Sequence, residues 1–222
     1  MDAPLEEYLK PTPTIDCDSP PIKEKAQSLI REREKDTERA KCLFYFVRDE
    51  IKYSVFAPRF LPEHFQASAT LTRGEGYCVQ KAVLLSALAR AVNIPARVGF
   101  ARIRNHVMPQ WLVEILGTNI LPCHGYSELY IEGKWVKATP AFDLEMCQRN
   151  RYLPVEFDGK NDAMFPSYTQ DGERHMEYLK YLGHYQDPPV DIIADNLKRR
   201  YPPEYINKQK AHMSRNEAQQ EG

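Results

Sequence analysis

The chain has 222 residues, 42% of them hydrophobic, with 30 basic and 31 acidic side chains and a formal charge of -1. That is room for one substantial domain with polar extensions, and the balanced charge offers no general attraction to nucleic acid or anionic membranes. No basic block with interleaved aromatics occurs, and the longest apolar runs fall far short of the roughly 18 residues a membrane-spanning helix needs.

The chain opens Met1-Asp2-Ala3-Pro4-Leu5-Glu6-Glu7, acidic and without the basic start and apolar stretch of a signal peptide. A cytoplasmic protein is expected. Residues 1–20 carry Pro4, Pro11, Pro13 and Pro20 among polar residues and read as an extended arm. Ser19-Pro20-Pro21 is a helix start, since proline is tolerated in the first turn. Ile22, Ala26, Leu29 and Ile30 carry the helical spacing to about Glu34. After a second start at Asp36-Thr37, Ala40, Leu43, Phe44, Val47 and Ile51 form the apolar stripe of an amphipathic helix.

Residues 56–76, with Pro58 and Pro62, read as irregular and end in Thr72-Arg73-Gly74-Glu75-Gly76. A helix is predicted from Val79 to about Val92, with Leu84, Leu85, Leu88, Ala91 and Val92 on one face. Asn93 suits the left-handed residue that closes it, and Pro95 blocks continuation. Ala96 to Ile103 reads as a strand. Met108-Pro109 opens a short helix bearing Leu112, Ile115 and Leu116 and ended by Gly117. Ser127–Ile131 and Lys134–Ala138 form a hairpin across a Glu132-Gly133 turn. The remainder is aromatic-rich, with turns at Asp158-Gly159 and Asp171-Gly172. The domain proper is expected over 21–207, its C-terminal extension from about 144, and a polar tail over 208–222.

Cys78 carries the chemical signal. It stands between a glycine-rich turn and a helix start, where Gly74 and Gly76 let backbone approach a substrate. Helix-start amides and their partial positive charge favour thiolate and offer donors to an oxyanion. His124 lies 46 residues downstream, at the entry to the strand expected over Ser127–Ile131. A histidine beside a thiolate takes and returns the proton of acyl transfer. The five cysteines are odd in number and irregularly spaced, as expected of free thiols in a reducing compartment. Without CxxC, HExxH or an acidic calcium loop, no metal or cofactor is expected.

These residues resemble the transglutaminase-like superfamily. Gly76-Tyr77-Cys78-Val79-Gln80-Lys81-Ala82-Val83-Leu84-Leu85, then Leu88-Ala89-Arg90 and Asn93-Ile94-Pro95-Ala96-Arg97, is similar to the family's nucleophile turn, helix and exit, with Asn93 in place of the usual glycine. His124-Gly125-Tyr126-Ser127-Glu128-Leu129-Tyr130 is similar to its histidine strand. Trp135-Val136-Lys137-Ala138-Thr139-Pro140 is similar to the strand ending in Asp-Pro-Thr. The resemblance covers roughly residues 35–143.

It implies an α+β fold with a papain/transglutaminase-like core: N-terminal helices, and the nucleophile at a helix N-terminus packed on a small antiparallel sheet. It implies hydrolysis of a peptide or amide through a Cys78–His124 acyl-enzyme; the alternatives are transfer to an amine and a binding or scaffold module that keeps the fold without catalysis. Cross-linking of the animal type is not expected, for want of the extra β-domains and a calcium site. The family's orienting aspartate falls on Thr139, which brings no charge. Asp143, four residues on, is preferred as third member, with Thr139 as the alternative.

The remaining chemistry-bearing residues receive structural assignments. Strand alternation turns Cys123 away from the face of His124, as a core thiol. Cys17, Cys42 and Cys147 have no histidine at ligand spacing. Trp111 and Trp135 are packing residues, although the insertion carrying Trp111 has the position to lie across the cleft. His175 and His184 are expected on the surface.

Overall fold

The computed structural model describes residues 4–57, 60–207 and 211. The tail expected from Lys208 lies almost wholly outside them. Helix α1 (Pro20–Leu29) starts with proline at its first position, but stops short of Glu34, where Glu32 takes a positive φ of 61°. Helix α2 (Asp36–Glu50) buries Ala40, Leu43, Phe44 and Val47, as the stripe predicts.

Strand β1 (Lys52–Tyr53) pairs in parallel with β2 (Glu75–Gly76). Between them the expected irregular stretch holds a 3₁₀ turn at Pro62–Phe65 and helix α3 (Ala67–Arg73). Pro62 opens the first, and Gly74 at φ 69° closes the second. Both are too short for periodicity to reveal.

Helix α4 (Cys78–Ala91) runs through the centre of the molecule, with every residue from Cys78 to Arg90 buried. A helix buried on all sides needs partners for its polar residues. Lys81 Nζ donates to the carbonyls of Arg48 (3.0 Å) and Ile51 (2.5 Å), so it caps the end of α2. Gln80 Nε2 donates to His64 O at 2.8 Å. Arg90 donates to Lys10 O and Gln186 O at 2.7 and 2.6 Å, tying the N-terminal segment to the late stretch around Gln186. Residues 4–19 are therefore packed rather than free: they include a 3₁₀ turn at Leu5–Leu9, and Ile15 is fully buried. Asn93 closes α4 at φ 63°.

A four-stranded antiparallel sheet covers α4 in the order β5-β4-β3-β6. Its strands are β3 (Ala96–Asn105), β4 (Ile120–Ile131), β5 (Lys134–Ala138) and β6 (Met176–Tyr185). The hairpin β4–β5 turns through Glu132 (φ 50°) and Gly133 (φ 84°), both left-handed as a two-residue hairpin loop requires. Strand β4 starts seven residues before Ser127, so His124 lies inside it rather than at its entry. Helix α5 (Gln110–Leu116) occupies the β3–β4 connection and ends at Gly117, as expected. After β5 come α6 (Leu144–Asn150) and a long crossing segment leading to β6, then α7 (Val190–Arg200). No helix among the described residues is long and apolar enough to cross a membrane.

Candidate active site

The turn before α4 is built for close packing. A Cβ on Gly76 would stand 3.1 Å from Gln80 Cβ and 3.3 Å from Thr70 Cγ2. Gln80 Oε1 accepts from Tyr77 N at 3.1 Å and fixes the approach to the first helical residue, Cys78. Cys78 is buried in the first turn, where the helix leaves amides unused by its own ladder.

The opposing strand comes in at Gly125, where a Cβ would lie 2.8 Å from Val79 Cα. This contact sets the first turn of α4 against β4 beside His124. The charge of Cys78 is felt at Cys123 and at Tyr178. These two residues flank His124, one in sequence and one through ring contact.

His124 is 1% exposed. Its ring meets Phe165 at 5.0 Å and the edge of Tyr178 at 6.0 Å between centroids. Its Nε2 is buried without a hydrogen-bond partner among the described residues. Burial pushes its pKa down to about 3, so the ring is neutral across the physiological range.

Neither expected third residue hydrogen-bonds His124. Asp143 is the N-cap of α6: one carboxylate oxygen accepts from Met146 N and the other from Tyr53 N, both at 2.8 Å. An aromatic layer stands between, with Phe142 4.7 Å from Phe165. The structure thus engages the Asp143 carboxylate with two backbone amides rather than with the His124 ring. That role is one that local chain geometry at a helix start favours. Thr139 is fully buried and its hydroxyl lies 3.4 Å from Met164 Sδ. It also hydrogen-bonds the Tyr178 hydroxyl, which accepts from Phe165 N at 3.3 Å. The phenol of β6 thus meets Thr139, and the His124 ring is packed against the aromatic rings of Phe165 and Tyr178.

Cys123 is half-buried: it packs against the main core, as expected, and also lines the same cavity as Cys78. A register shift between Ala101 and Ile103 interrupts the β3–β4 pairing beside it, so strict alternation fails there. Burial, then the charge of Cys78, pushes its thiol pKa up to about 12. His175 is misread by the sequence. It is fully buried, stacked on Tyr152 at 4.4 Å with both ring nitrogens unpartnered among the described residues, and its pKa falls to about 4 through burial. His184 is partly exposed, with Nδ1 3.8 Å from Glu128 Oε2.

A cavity of about 160 Å³ opens beside Cys78. Trp111, Leu112 and Leu116 of α5 form one wall, so the insertion does lie across the cleft. Ile193 and Leu197 of α7, with Tyr201 and Tyr205, form another. Trp111 stacks on Phe56 at 5.9 Å, and Tyr201 on Tyr205 at 4.4 Å. Neither Tyr178 nor this second wall was found from sequence. The only signal was the aromatic richness of the C-terminal part, which gives no position.

Comparison with curated proteins finds no match. Among solved structures, the chain is similar to a "Putative Cysteine Protease" from Cytophaga hutchinsonii, at 21% identity and TM-score 0.49, over 63% of this chain and 43% of that one. It is also similar to the periplasmic domain of TgpA from Pseudomonas aeruginosa, at 18% identity and TM-score 0.43, over 60% of this chain and 45% of that one. The chain thus spans less than half the length of either structure. The family model described as transglutaminase-like superfamily matches residues 23–140, just over half the chain and including both Cys78 and His124. The chain belongs to the transglutaminase-like superfamily.

Proposed function

We propose that the protein is a thiol amidase or peptidase that works through a Cys78 acyl-enzyme, with His124 as the base. The supporting observation is the seating of Gly125 on Val79, which packs the first turn of α4 against the histidine strand at one end of an apolar cavity. In this reading His124 takes the thiol proton as the Cys78 sulfur bonds to the carbonyl carbon of a peptide or amide. Amides at the start of α4 hold the oxyanion, and His124 returns the proton to the departing amine. Water, giving its proton to the same ring, then cleaves the thioester to acid and thiol. A ring kept neutral by burial is competent as a base, but the imidazolium it becomes has no carboxylate beside it. Turnover slower than that of a carboxylate-assisted triad follows. A cytoplasmic setting is part of the proposal, in keeping with five cysteines outside any disulfide.

The absence of a hydrogen-bonded carboxylate at His124 among the described residues favours one second reading, a binding module that keeps the fold without chemistry. Incubation with a peptide and amide library, followed by intact mass, separates the two. The enzyme reading expects an acyl adduct on the wild type that Cys78→Ala abolishes and His124→Ala suppresses. If no library member acylates the protein, and iodoacetamide labels Cys78 no faster than Cys42, the scaffold reading stands.

A further inference from the structure

The cavity beside Cys78 carries more information than the nucleophile alone, and the substrate class it implies rests on the thiol-amidase reading. Its volume, about 160 Å³, is close to that of an apolar protein cavity of about 150 Å³ that takes up benzene. None of its described lining residues is an aspartate, glutamate, lysine, arginine or histidine. Of its polar atoms, Asn105 Oδ1, Asn150 Nδ2 and the Tyr205 hydroxyl are engaged with backbone. Asn105 Oδ1 accepts from Val107 N at 3.1 Å, Asn150 Nδ2 donates to Met146 O at 2.8 Å, and the Tyr205 hydroxyl donates to Val55 O.

A carboxylate or ammonium entering this space would lose its water and gain no counter-charge, and a carboxamide would exchange water for a lining made mostly of carbon. A ring or branched alkyl group would meet leucine, isoleucine and aromatic walls instead. We propose that the acyl side of the substrate carries an uncharged, phenyl-sized aromatic or branched aliphatic group, which fills this cavity while its carbonyl lies at Cys78. The site therefore selects against the carboxamide side chain of glutamine as well as against charged residues.

The test uses chloromethyl ketones that share one backbone and differ in side chain: benzyl, carboxamidoethyl or carboxyethyl. Peptide mapping of the full chain should show benzyl labelling of Cys78 at least tenfold faster than either polar reagent. Leu116→Asn, in the cavity wall, should narrow that preference to within about threefold. Equal rates for the three reagents overturn the apolar assignment and leave the thiol reading intact. A second arm reads the cavity without the thiol. In Cys78→Ala, 3-phenylpropanamide should shift the methyl resonances of Leu112 and Ile193 and bind at least tenfold more tightly than succinamide. Equal binding there overturns the apolar assignment alone. Failure of every reagent, iodoacetamide included, to label Cys78 overturns the amidase reading, and this second arm still decides the cavity.

Discussion

Gly125→Ala probes how the strand of His124 and the helix of Cys78 are held together. The added Cβ would stand 2.8 Å from Val79 Cα and 3.0 Å from Val79 Cγ2. Carbon contacts settle at about 3.5–4.0 Å, so strand and helix must part by roughly 0.7 Å or more. Overpacking of this kind costs about 1–3 kcal/mol, and no rotamer relieves it because the nearest atom is backbone. Val79→Ala removes Cγ2 but leaves Cα in place, so the double variant should remain destabilised. A displacement approaching 1 Å at reacting groups can lower a rate by about a hundredfold. Urea unfolding should therefore show a lower midpoint at unchanged slope for Gly125→Ala, and alkylation of Cys78 near neutral pH should slow by about tenfold or more. Wild-type stability in Gly125→Ala, or its full recovery on adding Val79→Ala, would refute the claim that backbone contact sets the junction.

Three further outcomes are expected. Asp143→Ala should lower stability by about 1–3 kcal/mol, from the lost cap of α6 and the lost bond to the Tyr53 amide, while Cys78 labelling stays within about twofold; a tenfold fall in labelling would return Asp143 to the site. His124 and His175 have folded pKa values of about 3 and 4, below the usual 6.5, so both stay neutral when the unfolded chain begins to protonate. Stability should be full above about pH 6.5 and decline toward pH 4, by on the order of 2 kcal/mol per histidine at pH 5. His175→Phe should flatten that decline in chemical unfolding at pH 5 and 7, and an unchanged slope would count against burial as its cause. Arg97, stacked 4.0 Å above Trp135 and 2.6 Å from Glu128, neutralises a buried carboxylate. Arg97→Met should cost about 3–5 kcal/mol, and restoration by adding Glu128→Gln would confirm that the unpaired charge is the reason.

The parts of this fold that periodicity or turn chemistry dictates were legible in the sequence. The stripe of α2 has one apolar face, Asn93 fits a left-handed helix end, and Glu132-Gly133 fits a tight hairpin. What was hidden has physical causes. Of β6 only Met176 is buried, so its residues carry no alternating pattern to detect. Helix α3 has seven residues, barely two turns, and its stop at Gly74 reads equally well as part of a loop. At the candidate site, the placement of Cys78 at a helix start and of His124 by a strand was legible because each leaves a local signature. The third position was not. Asp143 and Thr139 are near neighbours in sequence, and only the fold reveals that amide groups claim the first and Tyr178 the second.

The two halves of the cleft come from different stretches of chain. Cys78 and His124 lie inside the stretch shared with the superfamily, whereas Ile193, Leu197, Tyr201 and Tyr205 lie more than fifty residues beyond its end. Substitutions in that late stretch can reshape the cavity wall without disturbing the turn, helix and strand that hold the thiol and imidazole. The junction of α4 with β4 and the wall beside it are thus free to drift at different rates. If the proposed acyl-enzyme forms, exchanging residues 190–207 for the corresponding stretch of a relative should change which acyl groups are admitted while keeping the same sulfur.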